Sequence, residues 1–431
     1  MKILLVMPHP NPKKSIFSKF QYPCLTLQQI AGITPSEHEV MIVDERYESI
    51  RFNEQYDIVG ISCLTYNSLR GYEIAKNFRA KGVPVVFGGY HASLLPQEVK
   101  KHADAVVIGE AEHSWPEVLK DAKIGKLKPF YKFRSPTAEE ILPARHDIGV
   151  YTYFSEAIQA SRGCPTGCEF CAMNIVEGKK FRGRPVDDVI NEMKTIKSKN
   201  IFFADASLTV SPPYSKQLFK EMKEVNKKFQ CFGNINVLTR DDEFLKLAKD
   251  AGVYKWYVGI ESISQDNINL SGKGTNKVEN YKKAIQKIKQ YNMIVCAFLM
   301  FGFDFDTPEI FDKTLKAIYD WGVDEASFSI ITPYPGTRLF DRLEKEGRIT
   351  NYDWSRYAEG NLNLKLKNMN EEELINGIKR IAGDFYSVKN SFRRSFIGNG
   401  FKPVNSIINF ISALSIRSFY NREKFNIHKG S

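Results

Sequence analysis

The segment Ser161-Arg-Gly-Cys-Pro-Thr-Gly-Cys-Glu-Phe-Cys171 places three thiols, Cys164, Cys168 and Cys171, at C-x3-C-x2-C spacing. Gly163, Pro165 and Gly167 make it a tight loop, able to aim three thiolates at one point. Three thiolates can hold three irons of a four-iron, four-sulfur cluster, whereas a cluster that only transfers electrons is usually closed by a fourth cysteine. The remaining iron is then open to a substrate or cofactor, as in an open catalytic metal site. Zinc is the alternative occupant. It would want a fourth thiolate or imidazole at short, regular spacing, and none follows; Cys231 and Cys296 are distant and isolated.

Two series of apolar runs alternating with helical stretches must position this loop. In residues 1–120 the expected strands are Lys2–Met7, Glu39–Asp44, Ile58–Cys63, Val83–Gly88 and Ala105–Ile108, the pattern of an open, doubly wound parallel sheet. Ligands of such sheets bind outside the carboxyl ends of the strands. Ser62 and Thr65 follow the third strand there, Gly88 and Gly89 the fourth, and Glu110 the fifth. Residues 121–150 are mixed, basic and proline-interrupted, as a linker would be. Residues 151–350 carry a second series: Glu156–Ala160, Ile201–Ala204, Cys231–Asn236, Trp256–Glu261, Met293–Phe301 and Ala326–Ile331. Six such repeats suit a partial (β/α)6 barrel, with sites at the carboxyl-end mouth. The cysteine loop follows the first of these strands. Asp205, Asn234, Asn236, Glu261 and Ser262 lie in or at the ends of later ones. Residues 351–431 make a helical region, with a helix over Asn370–Val388 begun by Asn368 or Asn370.

The cysteine spacing, with Phe170 just before the last cysteine, resembles the signature loop of the radical S-adenosylmethionine (radical SAM) enzymes. The resemblance implies that Cys164, Cys168 and Cys171 ligate a [4Fe-4S] cluster. S-adenosylmethionine would chelate its open iron and be cleaved to a 5'-deoxyadenosyl radical, with electrons from a flavodoxin- or ferredoxin-type reductant. Phe170 would lie near the adenine, with Glu261 and Ser262 on the ribose or methionine. The family's Gly-Gly-Glu motif is replaced by Ala204-Asp205-Ala206, which makes Asp205 a further S-adenosylmethionine candidate. The stretch GGYHASLLPQEV followed by ADAVVIGEAEHSW resembles the cobalamin-binding domain that precedes the barrel in one large radical SAM class. Ser62, Thr65, Gly88, Gly89 and Glu110 are its expected cobalamin contacts. The Asp-x-His-x-x-Gly motif of other cobalamin proteins is absent, since the chain reads Met7-Pro8-His9-Pro10-Asn11 after its first strand. Cobalamin is therefore expected without that histidine ligand, with His9 and His91 as loop or pocket histidines. The branch with hopanoid C-methylases and archaeal membrane-lipid-modifying enzymes is the most similar, on Ile330–Thr337 and Asp353-Trp354.

That branch implies hydrogen abstraction from an unactivated C–H bond and methyl transfer from methylcobalamin to a lipid or other natural product. Radical C–C bond or ring formation without methyl transfer is the alternative enzyme. A non-catalytic cobalamin or iron–sulfur sensor is the alternative of another class. Composition sets the setting. With 431 residues the chain can bury large cores, and seven cysteines, three in one loop, make no disulfide framework. A reducing, cytoplasmic location is expected; the first residues lack a secretory cleavage site, and no apolar run spans a membrane. Of the net charge of +11, residues 391–431 supply +6: Arg393, Arg394, Lys402, Arg417, Arg422, Lys424 and Lys429 against Glu423. The amphipathic stretch 404–416 within this tail would either lie on an anionic membrane surface or pack on the barrel. Nucleic acid is not an expected partner, because the basic residues lack a binding fold.

Overall fold

The computed structural model describes residues 1–10, 22–149, 154–358, 360–396, 410, 411, 413, 414, 416 and 417. A first sheet consists of β1 (Lys2–Met7), β2 (Glu39–Asp44), β3 (Ile58–Ser62), β4 (Val85–Gly88), β5 (Ala105–Ile108) and β6 (Phe130–Lys132). All pair in parallel, in the order β2-β1-β3-β4-β5-β6. Its strands are near-continuous aliphatic runs because both faces are covered by helices. Leu4, Val6, Val59 and Phe87 pack on one side; Ile3, Leu5, Ile58 and Trp115 pack on the other. The order reverses between β1 and β3, so the ligand crevice of this half opens at their carboxyl ends. The expected linker, 121–150, is in part structural: its Phe130–Lys132 is the sixth strand. Three residues carry too little alternation to announce a strand.

The second sheet consists of β7 (Ser155–Ile158), β10 (Asn200–Phe203), β11 (Lys228–Gly233), β12 (Val253–Glu261), β13 (Ile294–Phe301) and β14 (Glu325–Ile330). It too is parallel, in the order β14-β13-β12-β11-β10-β7. Strand residues Ile201, Phe203, Cys231, Trp256, Val258 and Val295 join helix residues such as Phe219, Phe244 and Ile285 in one large core. Their neighbours along the strands point the other way, onto the inner face of a partial (β/α)6 barrel. An antiparallel ribbon of two-residue strands, β8 (Ser161–Arg162) and β9 (Arg182–Gly183), closes the base of the cysteine loop.

Three expectations are corrected. The strand expected over Cys231–Asn236 ends at Gly233. Asn234 instead caps the helix Ile235–Arg240, its side chain accepting from the Asn236 N–H at 3.0 Å, a role asparagine favours. Gly89, expected in a loop, begins the helix Gly89–Leu94 with φ +87°. The helix expected over Asn370–Val388 stops at Phe385 and is followed by a second, Val388–Phe396. Asn370 and Glu373 form the reciprocal cap of the first. The stretch 404–416 lies mostly outside the described residues. Among the described residues no helix is long and apolar enough to cross a membrane.

A buried charge cluster fixes the start of the barrel. His146 lies 2.9 Å from Glu192 and 3.5 Å from Glu156, and Arg184 reaches Glu192 at 2.6 Å. Burial by itself would lower the His146 pKa; the two carboxylates outweigh it and push it up to about 9. The imidazolium therefore stabilises the fold fully below the unfolded-state value near 6.5, and this support is lost as pH rises through about 9. Its size is up to roughly 3 kcal/mol. Thermal melts between pH 7 and 10 should fall more steeply for the native chain than for His146→Gln. Parallel curves would remove His146 from the account.

Candidate active site

The cysteine loop is held from every side. Asp205, just beyond β10, is fully buried, and its carboxylate accepts from the backbone N–H of Ala160 at 3.0 Å and of Ser161 at 2.5 Å. It also accepts from the Ser161 hydroxyl at 2.6 Å. Asp205 thus anchors the root of the loop. Gly163 has φ +83°, and a side chain there would strike the Lys180 carbonyl. The Glu169 N–H donates to Ser271 O at 2.8 Å, and Leu339 N–H donates to Glu169 O at 2.9 Å. Arg342 clasps the Glu169 carboxylate at 2.8 and 3.2 Å, while Arg338 donates to Gly167 O. Phe170 is partly buried against Phe303, Ile331 and Leu339.

Burial pushes the Cys168 thiol up to about 12, with Lys273 pulling against it, and raises Cys171 as well. Buried thiols without a metal therefore stay protonated, and binding a cation there releases protons. Among the described residues no three His, Cys, Asp or Glu groups converge closely enough to hold a single ion. Zinc at about 2.3 Å from each sulfur needs the sulfurs within roughly 4 Å of one another. A cluster, with each thiolate on a separate iron, makes no such demand.

Beside the loop, β12 ends in a register shift between Gly259 and Glu261. Glu261 has φ +61°, a left-handed conformation unfavourable for glutamate, of the kind that gathers at functional sites. Its carboxylate meets Lys273 at 2.6 Å, and the same ammonium donates to Gly259 O at 2.9 Å. The Lys273 pKa is raised, because Glu261 and the nearby Cys168 outweigh its burial. Ser262 is drawn into a turn instead: its hydroxyl accepts from Ser264 N–H at 3.1 Å and from Asn267 at 3.3 Å. Lys273 was not legible in the sequence, since it lies twelve residues beyond Glu261 in a polar turn.

The carboxyl edge of the first sheet offers a bed of small residues. A methyl on Gly88 would meet only Val107, at 3.9 Å, and one on Gly109 (φ +83°) would meet nothing within 4 Å. Gly89 is tighter; a methyl there would sit 2.8 Å from the Ser62 hydroxyl. Thr65 is buried, and Leu64 beside it is exposed on the edge. His91 is fully buried with Nε2 2.8 Å from the Tyr72 hydroxyl. An open glycine floor leaves room at this edge for a large flat cofactor.

Glu110 follows Gly109 directly. Its carboxylate meets Arg162 at 2.7 Å and Arg182 at 2.9 Å, and Arg162 also reaches Glu112 at 2.7 Å. All four side chains are buried, and they bind the loop after β5 to the ribbon β8–β9 that carries the cysteines. Glu110, expected at the cobalamin, is thus part of a clamp between the two halves. A second fastening joins Trp354, whose indole donates to Glu98 at 2.8 Å, to the first half. The helix Gly89–Leu94 packs against Met173–Val176, just after Cys171.

The inner face of the barrel is aromatic. Phe202 and Phe232 have ring centroids 5.6 Å apart, Phe232 and Tyr257 5.3 Å, and Phe232 and Phe298 5.7 Å. Tyr22, from the first half, stacks on Phe202 at 4.3 Å and places its hydroxyl 3.1 Å from both Gln230 and Tyr257. Lys255 is neutralised by Glu325 at 2.5 Å.

A fold with a cysteine loop at the mouth of a parallel partial barrel and a glycine-edged doubly wound sheet before it defines the class. The radical SAM superfamily model matches residues 158–318, the B12 binding domain model 27–119, and a domain of unknown function (DUF4070) 337–398. The chain is 31% identical over 375 residues to the bacteriochlorophyllide d C-8(2)-methyltransferase of Chlorobaculum tepidum, covering 81% of this chain and 82% of that protein. It is 27% identical over 427 residues to the C-12(1)-methyltransferase of the same organism, covering 95% and 92%. To the hopanoid C-2 methylase of Rhodopseudomonas palustris it is 23% identical over 342 residues, covering 75% and 64%. The fold matches the radical S-adenosylmethionine methyltransferase TsrM of Kitasatospora setae, with cobalamin and [4Fe-4S] cluster bound, at TM-score 0.74, 15% identity and 97% and 99% coverage. The chain belongs to the radical SAM superfamily, in its B12-binding branch, and is an enzyme whose cofactors are a [4Fe-4S] cluster, S-adenosylmethionine and cobalamin.

The loop anchor yields a prediction. In Asp205→Asn an amide NH2 would face a backbone N–H, leaving a buried donor unmatched at about 1–3 kcal/mol. After anaerobic reconstitution and desalting, the variant should keep less than half the iron of the native chain, with all three cysteines intact. Full iron retention would show that the loop holds its shape without Asp205.

Proposed function

We propose that the chain is a cobalamin-dependent radical SAM C-methyltransferase acting on an apolar, ring-bearing substrate. The observation that carries it is the clamp Glu110/Glu112–Arg162–Arg182, which sets the cysteine loop and the glycine bed of the first sheet against each other. Cys164, Cys168 and Cys171 would hold the cluster, with Lys273 and Glu261 on the carboxylate and ammonium of S-adenosylmethionine. A buried cation–anion pair complements an amino acid's zwitterion. Gly88, Gly89, Gly109 and Ser62 would border the cobalamin. When bound, the cluster with S-adenosylmethionine supplies a 5'-deoxyadenosyl radical for hydrogen abstraction, and cobalamin supplies the methyl group. The chain's own part is to orient, exclude water and hold the two beds in register.

Phe202, Phe232, Tyr257 and Phe298 support the substrate class: rings stack on rings, and Lys255, paired with Glu325, leaves no free cation there for a phosphate. Relatives acting on bacteriochlorophyllides and hopanoids are in keeping with it. Such substrates partition into membranes, so we also place the enzyme at a membrane surface. The reductant required by the chemistry would be a small redox protein.

The test is anaerobic reconstitution followed by reduction in the presence of S-adenosylmethionine and either a chlorin or a hopanoid. About four irons per chain are expected, lost in the Cys164→Ala/Cys168→Ala/Cys171→Ala variant, with 5'-deoxyadenosine, S-adenosylhomocysteine and a methylated product. A product formed without S-adenosylhomocysteine would move the reading to ring or C–C bond formation. A fully loaded chain that never cleaves S-adenosylmethionine would leave a sensor.

A further inference from the structure

The helix Val388–Phe396 is packed inside out. Ser391 and Ser395 are its buried residues, 0% and 5% exposed, whereas Val388, Phe392 and Phe396 are 51%, 48% and 42% exposed. These three recur at every fourth position, so they form one stripe along the helix. The inward side is fixed by polar bonds. The Arg394 guanidinium lies 3.7 Å from the centre of the Phe385 ring and donates to Asp324 O at 3.3 Å, and the Asn390 amide donates to Asp384 O at 3.0 Å. The stripe is extended by a neighbouring turn. Phe410 meets Phe392 and Phe396 at centroid distances of 6.1 and 6.0 Å, and Ile411 beside it is 56% exposed. A helix that buries serine and presents phenylalanine is shaped for something outside the chain.

We infer that the stripe Val388–Phe392–Phe396, with Phe410 and Ile411, is a docking surface for an anionic lipid bilayer. Charge selects this occupant. Lys389 and Arg393 are exposed on the same helix, and residues 391–431 carry seven basic side chains against one acid. A second copy of the chain would bring two such basic regions together, which repel. A bilayer with acidic headgroups offers an apolar layer for the rings and countercharge for the cations together. The inference deepens the placement at a membrane proposed above and rests on it.

The experiment uses the full chain, reconstituted anaerobically, in co-sedimentation with phosphatidylcholine vesicles with and without phosphatidylglycerol. Binding should require the anionic lipid and weaken as salt is raised. Phe392→Glu/Phe396→Glu, at two exposed positions, should lower it by roughly tenfold or more, with iron and cobalamin contents unchanged. Lys389→Glu/Arg393→Glu should weaken binding at low salt and flatten its dependence on salt. Two results would overturn the inference: no binding of the native chain to anionic vesicles, or equal binding by the phenylalanine variant. A native dimer that the phenylalanine variant converts to monomer, with vesicles ignored, would assign the stripe to self-association and also overturn it. Vesicle binding is read without turnover, so failure of methyl transfer and failure of membrane docking are separate results.

Discussion

Two arginines and two glutamates taken out of water together decide the geometry of this protein. Arg162, Arg182, Glu110 and Glu112 lie buried at the seam between the halves, at ion-pair distances of 2.7 to 2.9 Å. Burying any of them alone would cost several kcal/mol, so none can leave without stranding another. Such a network contributes little net stability compared with well-packed apolar residues, but it tolerates only one arrangement of its members. That is what a site built from two sheets needs. Arg162 stands two residues before Cys164, and Glu110 stands at the edge of the glycine bed, so the register of one bed against the other follows from charge pairing.

Within the barrel the same logic recurs at shorter range. The loop itself is short, glycine-rich and without an apolar core; its shape is borrowed from Asp205 beneath, Glu177 behind and the Ser271–Lys273 turn beside it. Gly163 N–H donates to the Glu177 carboxylate at 3.2 Å, and burial raises the pKa of that carboxyl. The left-handed backbone at Glu261 is a local strain that its bond to Lys273 helps to retain. Rigid surroundings around a weakly self-supporting loop are what hold reactive ligands in one geometry.

Much of this was legible in the chain. Long aliphatic runs such as Lys2–Met7 and Met293–Phe301 announce buried parallel strands, and the cysteine spacing announces its chemistry without help from the fold. What escaped was short or non-local. Phe130–Lys132 and Ser161–Arg162 are too brief to show a period. Glu110 and Asp205 stood out as strand-end carboxylates, but such a carboxylate looks the same whether it meets a ligand, a backbone amide or an arginine fifty residues away. Lys273 was hidden for the complementary reason: nothing marks a lysine in a polar turn until its partner Glu261 is seen across from it. The inverted helix at Val388 was obscured because hydrophobic periodicity shows that a stripe exists and not which way it faces.

Tyr22 belongs to the first half by sequence and to the second by contact. Its ring lies on Phe202 and its hydroxyl meets Gln230 of β11 and Tyr257 of β12, so it joins the aromatic wall of the barrel from outside it. The two halves are therefore not interchangeable modules. A chimera joining the first half of one relative to the barrel of another would import a ring at this position fitted to different neighbours. In lineages of this architecture, a change in the first half at Tyr22 reaches the aromatic wall of the second, so the two halves are constrained to change together.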